Sequence, residues 1–291
     1  MPKCDATVKN EENLNVQNGN KDLSFHGLLD KFASKEVDLE YARAPSKRQH
    51  LIPTTSSSIS ANQCTSQTKK KRKRVRGYAP PSQYAHLSPV PDRLGPNLIC
   101  IFVGLNPGVA TAKHGHMFAN PTNLFWPLMS ESGCVSRRVT CIDDESLPQN
   151  WDLGITNLVS RPTAEQSELS QEEMVAGTPS LEAKLIAHSP EIVCIVGKGI
   201  WESIYKFKTG RKLISSEFTF GFQSDYGFDF ASANSKSSKI VSKPKIFVIP
   251  STSGRVAAYS RAMKSELWAQ LGNEIQLVRR SRQENVRESA S

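Results

Sequence analysis

Residues 98–126 read LICIFVGLNPGVATAKHGHMFANPTNLFW. The opening run, Leu98-Ile99-Cys100-Ile101-Phe102-Val103, is apolar throughout and rich in β-branched residues, the pattern of a strand buried on both faces of a parallel sheet. It stops at Gly104-Leu105-Asn106-Pro107-Gly108, where two glycines and a proline force a sharp turn and hold Asn106 at the carboxyl end of the strand. Ligands of open α/β sheets bind at that edge. Residues 118–126, FANPTNLFW, follow ten residues on and bring an aromatic ring and a second amide to the same mouth. Such a set suits a flat polar ring. The other reading of the same residues is an ordinary tight connection, with Phe118, Phe125 and Trp126 serving as core.

Outward from this stretch, strands alternate with helices. Residues 123–133 are expected as a helix, with Pro127 in its first turn and Gly133 as its stop. Residues 134–151 read as a polar connection. Residues 154–159 form a second strand, placing Asn157 near its end. Residues 167–188 form a helix with an apolar stripe of Leu169, Met174, Leu181, Leu185 and Ile186, which Thr178-Pro179 breaks or kinks. Residues 191–196 are a third strand, and Gly197-Lys198-Gly199 turns into a helix over 200–207. Residues 208–243 read as a variable loop with an edge hairpin near 218–222. Residues 245–249 are a fourth strand, ended by Pro250-Ser251-Thr252-Ser253-Gly254-Arg255, and a helix over 256–271 closes the domain. The expected fold class is α/β, a three-layer α/β/α sandwich on a mainly parallel sheet. Asn106, Asn157, Lys198 and the 251–255 loop would then share one edge of that sheet.

The flanks differ in texture. Of the 291 residues, 1–90 are expected to be a disordered arm: 54–68 are small and polar, and Tyr78–Pro96 holds five prolines. Within the arm, Leu23–Phe32 has the spacing of a short amphipathic helix. Residues 91–273 are read as the folded domain and 274–291 as a flexible tail. The chain carries a net charge of +9, and the run Lys69–Arg76 alone holds seven positive charges. The basicity therefore belongs to one segment, a candidate for nucleic-acid binding or nuclear import, with a solvated charge block as the plain alternative.

Several function classes are not indicated. No run of 18 apolar residues spans a membrane, and no apolar segment at the start reads as a secretory signal. The six cysteines contain no CxxC pair and the six histidines no HxxxH pair, so neither a zinc site nor a disulfide framework is expected, and Cys100 and Cys194 fall in buried strands. GxGxxG, GxxxxGK[ST] and GxSxG are missing, which argues against dinucleotide, P-loop and serine-hydrolase chemistry.

Five ordered stretches, GLNPG at 104–108, FANPTNLFW at 118–126, GITNLVSRPT at 154–163, VGKGIWE at 196–202 and IPSTSGR at 249–255, resemble the mismatch-specific uracil and thymine DNA glycosylases of the uracil-DNA glycosylase superfamily. The likeness runs from about Asp92 to Leu271. The basic arm is similar to that of eukaryotic and fungal members. The resemblance implies roles. Asn106 stands where the family positions the attacking water; an amide can hold a water but cannot take its proton, so slow chemistry is implied. Phe118 matches the aromatic that stacks on the extruded base. Gly108 stands where strict uracil enzymes carry a tyrosine, which implies room for 5-substituted bases. Asn157 matches the polar residue at the base edge. Asn123 either caps its helix or touches the base. Ser251, Thr252, Ser253 and Gly254 match the segment that enters DNA and approaches phosphates. Arg255 matches the arginine that fills the vacated stack, the alternative being a surface ion pair. Lys198 is a phosphate contact or a solvated lysine. Thr111 and Met117 depart from the vertebrate thymine-processing enzyme, and a branched Thr111 narrows the space beside the base and favours uracil. The implied activity is that of a monofunctional glycosylase, nuclear and monomeric, acting on double-stranded DNA with a mismatched or damaged pyrimidine ahead of an abasic-site endonuclease. It needs no cofactor or metal. The alternatives are a broader enzyme of the same fold acting on ethenocytosine, thymine or oxidised methylcytosine, an idle mismatch-binding scaffold for repair factors, and a protein that tethers to chromatin through its basic arm.

Overall fold

A computed structural model of the chain describes residues 77–223 and 243–289. The basic run, the 23–32 segment and most of the 208–243 loop lie outside these residues. Among the described residues, five strands form one sheet: β1 (Cys100–Gly104), β2 (Leu153–Asn157), β3 (Ile192–Val196), β4 (Gly221–Gln223) and β5 (Lys245–Ile249), in the order β2-β1-β3-β5-β4. β2, β1, β3 and β5 are parallel, and β4 pairs antiparallel at the edge. The chain leaves β1 for β2 on one side and returns to β3 on the other. The carboxyl ends of β1 and β3 therefore flank the switch point, where a crevice must open.

Residues of β1 alternate between two cores. Cys100 and Phe102 face one, Ile101 and Val103 the other. On the first face lie α2 (Phe125–Glu131), α3 (Leu147–Trp151) and α7 (Arg261–Ser289); Phe102 stacks on Trp268 at 5.5 Å and meets Phe125 edge-on at 5.4 Å. On the second lie α4 (Gln171–Ala176), α5 (Thr178–His188) and α6 (Lys198–Thr209), through Met174, Leu181, Leu185, Ile200, Trp201 and Ile204. This is the expected three-layer sandwich. The expected break at Thr178-Pro179 separates α4 from α5, with Pro179 in the first turn of α5.

Three local expectations need correction, and one helix was not anticipated. Residues 134–151 are not a polar connection: Cys134, Val135, Val139, Leu147 and Trp151 are core, and Asp144 is wholly buried. A six-residue helix, α1 (Val109–His114), follows the first turn without an apolar stripe to announce it. The folded unit begins before residue 91, since Ala79 and Val90 are buried and the Ala79 amide donates to Glu168 O. The tail read as flexible is helical to Ser289. Its sparse stripe, Leu271, Ile275 and Val278, is supplemented by polar anchors. Gln276 donates to Gly133 O at 2.7 Å, Arg279 to Trp151 O at 2.8 Å, and Arg282 to Asn97 O at 2.7 Å and Glu191 at 2.6 Å.

Candidate functional site

The turn after β1 and the segment after β2 run side by side beyond the sheet. Leu158 N donates to Gly104 O, Val159 N to Leu105 O, and Thr163 N to Pro107 O at 3.1 Å. This extension delivers two acceptors to Asn106. Its Nδ2 donates to Arg161 O at 2.8 Å and to Thr163 Oγ1 at 2.9 Å. A carbonyl can only accept, so the amide has one orientation. Thr163, itself buried, spends its hydroxyl proton on Glu165 O at 2.9 Å. Asn106 Oδ1 meets no donor among the described residues and borders the cleft as a free acceptor.

Phe118 and Asn157 flank Asn106. Phe118 adopts a left-handed backbone, φ 54°, unusual for an aromatic residue. Its neighbour's peptide groups hold that geometry: Met117 N donates to Asp144 Oδ2 at 2.7 Å, and Met117 O accepts from Trp126 Nε1 at 3.0 Å. Asp144 also faces Arg93 Nε at 3.2 Å and His116 Nδ1 at 2.9 Å, so its buried charge is matched. One face of Phe118 lies on Phe125, with centroids 3.9 Å apart and planes 12° apart. The ring lines the cleft. Asn157 ends β2 in register with Gly104, is buried, and sends Nδ2 to Met117 Sδ at 3.5 Å. Gly104 makes room for both side chains: a Cβ there would lie 2.5 Å from Asn157 Oδ1 and 3.2 Å from Phe118 Cζ.

The other lining residues follow. A Cβ on Gly108 would meet nothing within 4 Å, so the space beside it is open. Thr111, on α1, is buried in the cleft wall. Asn123 Oδ1 accepts from Phe125 N at 3.0 Å at the entry to α2, and Asn123 also borders the cleft. Ser251, Ser253, Gly254 and Arg255 form the rim after β5. Gly254 packs where a Cβ would meet Thr122 O at 2.6 Å, which docks this rim on the 120–123 turn. Thr252 is buried, and its carbonyl accepts from Leu124 N at 2.9 Å. Arg255, half-exposed, bridges the mouth to Ala164 O and lies 3.4 Å from Glu165. Lys198 is not brought to the cleft: its ammonium lies 5.1 Å over the Phe218 ring and 3.6 Å from Glu202.

The cleft has a volume of about 710 Å³, and Glu165 and Arg255 are the only charged side chains among its described lining residues. Its other polar side chains are amides and hydroxyls, set among apolar residues with one stacked ring. Such a pocket can orient a planar heterocycle and one water. Sequence reading missed Gly104 as the spacer, Thr163 and the Arg161 carbonyl as partners of Asn106, and Asp144 as anchor of the 116–118 segment. The first three lie inside quoted motifs; Asp144 gave no signal.

The family model of the uracil DNA glycosylase superfamily matches residues 91–272. The chain belongs to that superfamily. Among curated proteins, it is similar to the G/U mismatch-specific uracil DNA glycosylase of Schizosaccharomyces pombe (strain 972 / ATCC 24843), 39% identical over 194 residues that make up 66% of this chain and 55% of that protein. The chain thus spans about half the length of that relative.

Proposed function

We propose that this protein is a monofunctional DNA glycosylase that hydrolyses the N-glycosidic bond of uracil opposite guanine and leaves an abasic site. The observation that carries this reading is the fixed Asn106 amide, whose Oδ1 borders the cleft beside a stacked ring and a second amide. Uracil, turned out of the duplex, stacks on the free face of Phe118 and meets Asn157, which donates and accepts at the base edge. Asn106 Oδ1 accepts one hydrogen bond from a water and aims its oxygen at the sugar carbon. The amide takes no proton, so acceleration rests on orientation and on strain in the extruded nucleotide, and the reaction is slow. Arg255 leaves its place on the 164–165 segment and fills the vacated stack.

The open space at Gly108 favours acceptance of 5-substituted pyrimidines, while Thr111 narrows the wall and favours uracil. Nuclear import and grip on DNA fall to the Lys69–Arg76 run, and the protein acts as a monomer ahead of an abasic-site endonuclease. The test is single-turnover excision by the full chain and by Asn106→Ala on duplexes carrying G·U, A·U and G·T. We expect cleavage of G·U that is lost in the variant while duplex binding persists. Near-normal excision by the variant removes the role of Asn106. Binding without cleavage by the unaltered protein replaces the enzyme with a mismatch-binding scaffold.

A further inference from the structure

We propose that Thr163 is a positioning residue: with the Arg161 carbonyl it forms an acceptor-only cradle that accepts an amide, and rejects a carboxylate, at position 106. The inference rests on the function proposed above and extends it to residues that do not touch substrate. Both hydrogens of Asn106 Nδ2 are engaged, at 2.8 Å by Arg161 O and at 2.9 Å by Thr163 Oγ1. The Thr163 proton is committed to Glu165 O at 2.9 Å, so its oxygen is left to accept. The Arg161 carbonyl is itself held. Its side chain forms a two-pronged pair with Glu173, at 2.9 and 3.0 Å, and Glu173 is tied to the start of α4 through Ser170. Without these partners an amide on a turn can flip, presenting NH₂ where an acceptor for water is needed.

The cradle also explains why this framework carries asparagine. In Asn106→Asp, one carboxylate oxygen would take the place of Nδ2 and face the Arg161 carbonyl with no proton between them. The charges on the packed segments do not relieve this: Arg161 is paired with Glu173, and Glu165 faces Arg255 at 3.4 Å. The aspartate therefore keeps its proton in the folded state above the ordinary carboxylate range. In the unfolded chain it ionises at about pH 4. Stability relative to the unaltered protein is then greatest at low pH and falls as the pH rises, until the folded group ionises too.

The experiment uses the full chain and a G·U duplex. Thr163→Val should slow single-turnover excision about tenfold, the worth of one orienting hydrogen bond, with duplex affinity within about twofold of the unaltered protein. Thr163→Ser, which keeps the hydroxyl, should restore the rate. Excision by Thr163→Val at the original rate, or equal slowing by Thr163→Ser, overturns the proposal. Should Thr163→Val fail to fold, the thermal midpoint of Asn106→Asp decides: its deficit against the unaltered protein should be larger at about pH 8 than at about pH 5. An equal deficit at both overturns the cradle. If the unaltered protein excises nothing, the glycosylase reading fails separately, and the thermal measurement still judges the cradle.

Discussion

Replacing Gly104 with alanine adds one methyl group at the point where β1, Asn157 and Phe118 converge. The new Cβ would lie 2.5 Å from Asn157 Oδ1 and 3.2 Å from Phe118 Cζ. Phe118 cannot retreat, because its far face is stacked on Phe125 at 3.9 Å. Asn157 must therefore yield by about 1 Å to regain van der Waals contact, and its amide is buried beside Met117 Sδ. Overpacking of this kind costs about 1–3 kcal/mol. The loss of unfolded-state freedom at a former glycine returns about 0.4–1 kcal/mol of that. The net expectation is a stability loss of about 0–2.6 kcal/mol, small enough for the fold to survive. The effect on chemistry is larger, since a displacement of about 1 Å in a positioning group costs about a hundredfold in rate. Urea denaturation and single-turnover excision of G·U should be measured on the same preparation. A folded Gly104→Ala protein that excises uracil within about threefold of the original rate would refute the reasoning, because the base edge would then not depend on where Asn157 sits.

Gly108→Tyr should fold, since the space at that position is open, and should depress excision from G·T more than from G·U; an unchanged ratio of the two rates counts against a role for Gly108 in selectivity. Asp144→Ala strips the buried partner from Arg93, His116 and the Met117 amide and should cost about 3–5 kcal/mol in urea denaturation, where a loss below about 1 kcal/mol would show that the cluster is not an anchor. Hydrogen bonding from Arg161 holds the Glu173 carboxyl below its ordinary value of 4.5. Its contribution is thus present above that pH and lost as the pH falls below it, so Glu173→Gln should flatten the acid limb of the stability profile; an unaltered limb contradicts the pairing.

The layers of the fold were legible because the signals were local. The continuous apolar run of Leu98–Val103, rich in β-branched residues and stopped by glycine and proline, reads as a strand buried on both faces, and Ile192–Val196 repeats the pattern. Glycine and proline at 104–108 marked where the first strand had to stop. The 134–151 stretch misled because two of its residues find partners far along the chain: Asp144 meets Arg93 and His116, and the Trp151 carbonyl accepts from Arg279. The tail misled for the same reason, since Arg279 and Arg282 donate to the carbonyls of Trp151 and Asn97, which lie far earlier in the chain.

By itself the sequence determined the strand and helix alternation, the edge of the sheet that carries the cleft, and the residue types gathered there. Periodicity and turn chemistry are properties of short windows, and a parallel sheet aligns its carboxyl ends whatever else happens. Tertiary structure alone decided which way the Asn106 amide points, why Gly104 must stay small, and that Lys198 lies outside the cleft while Arg255 spans its mouth. Those outcomes depend on single acceptors and single ångströms contributed by segments distant in the chain, and no local window contains them.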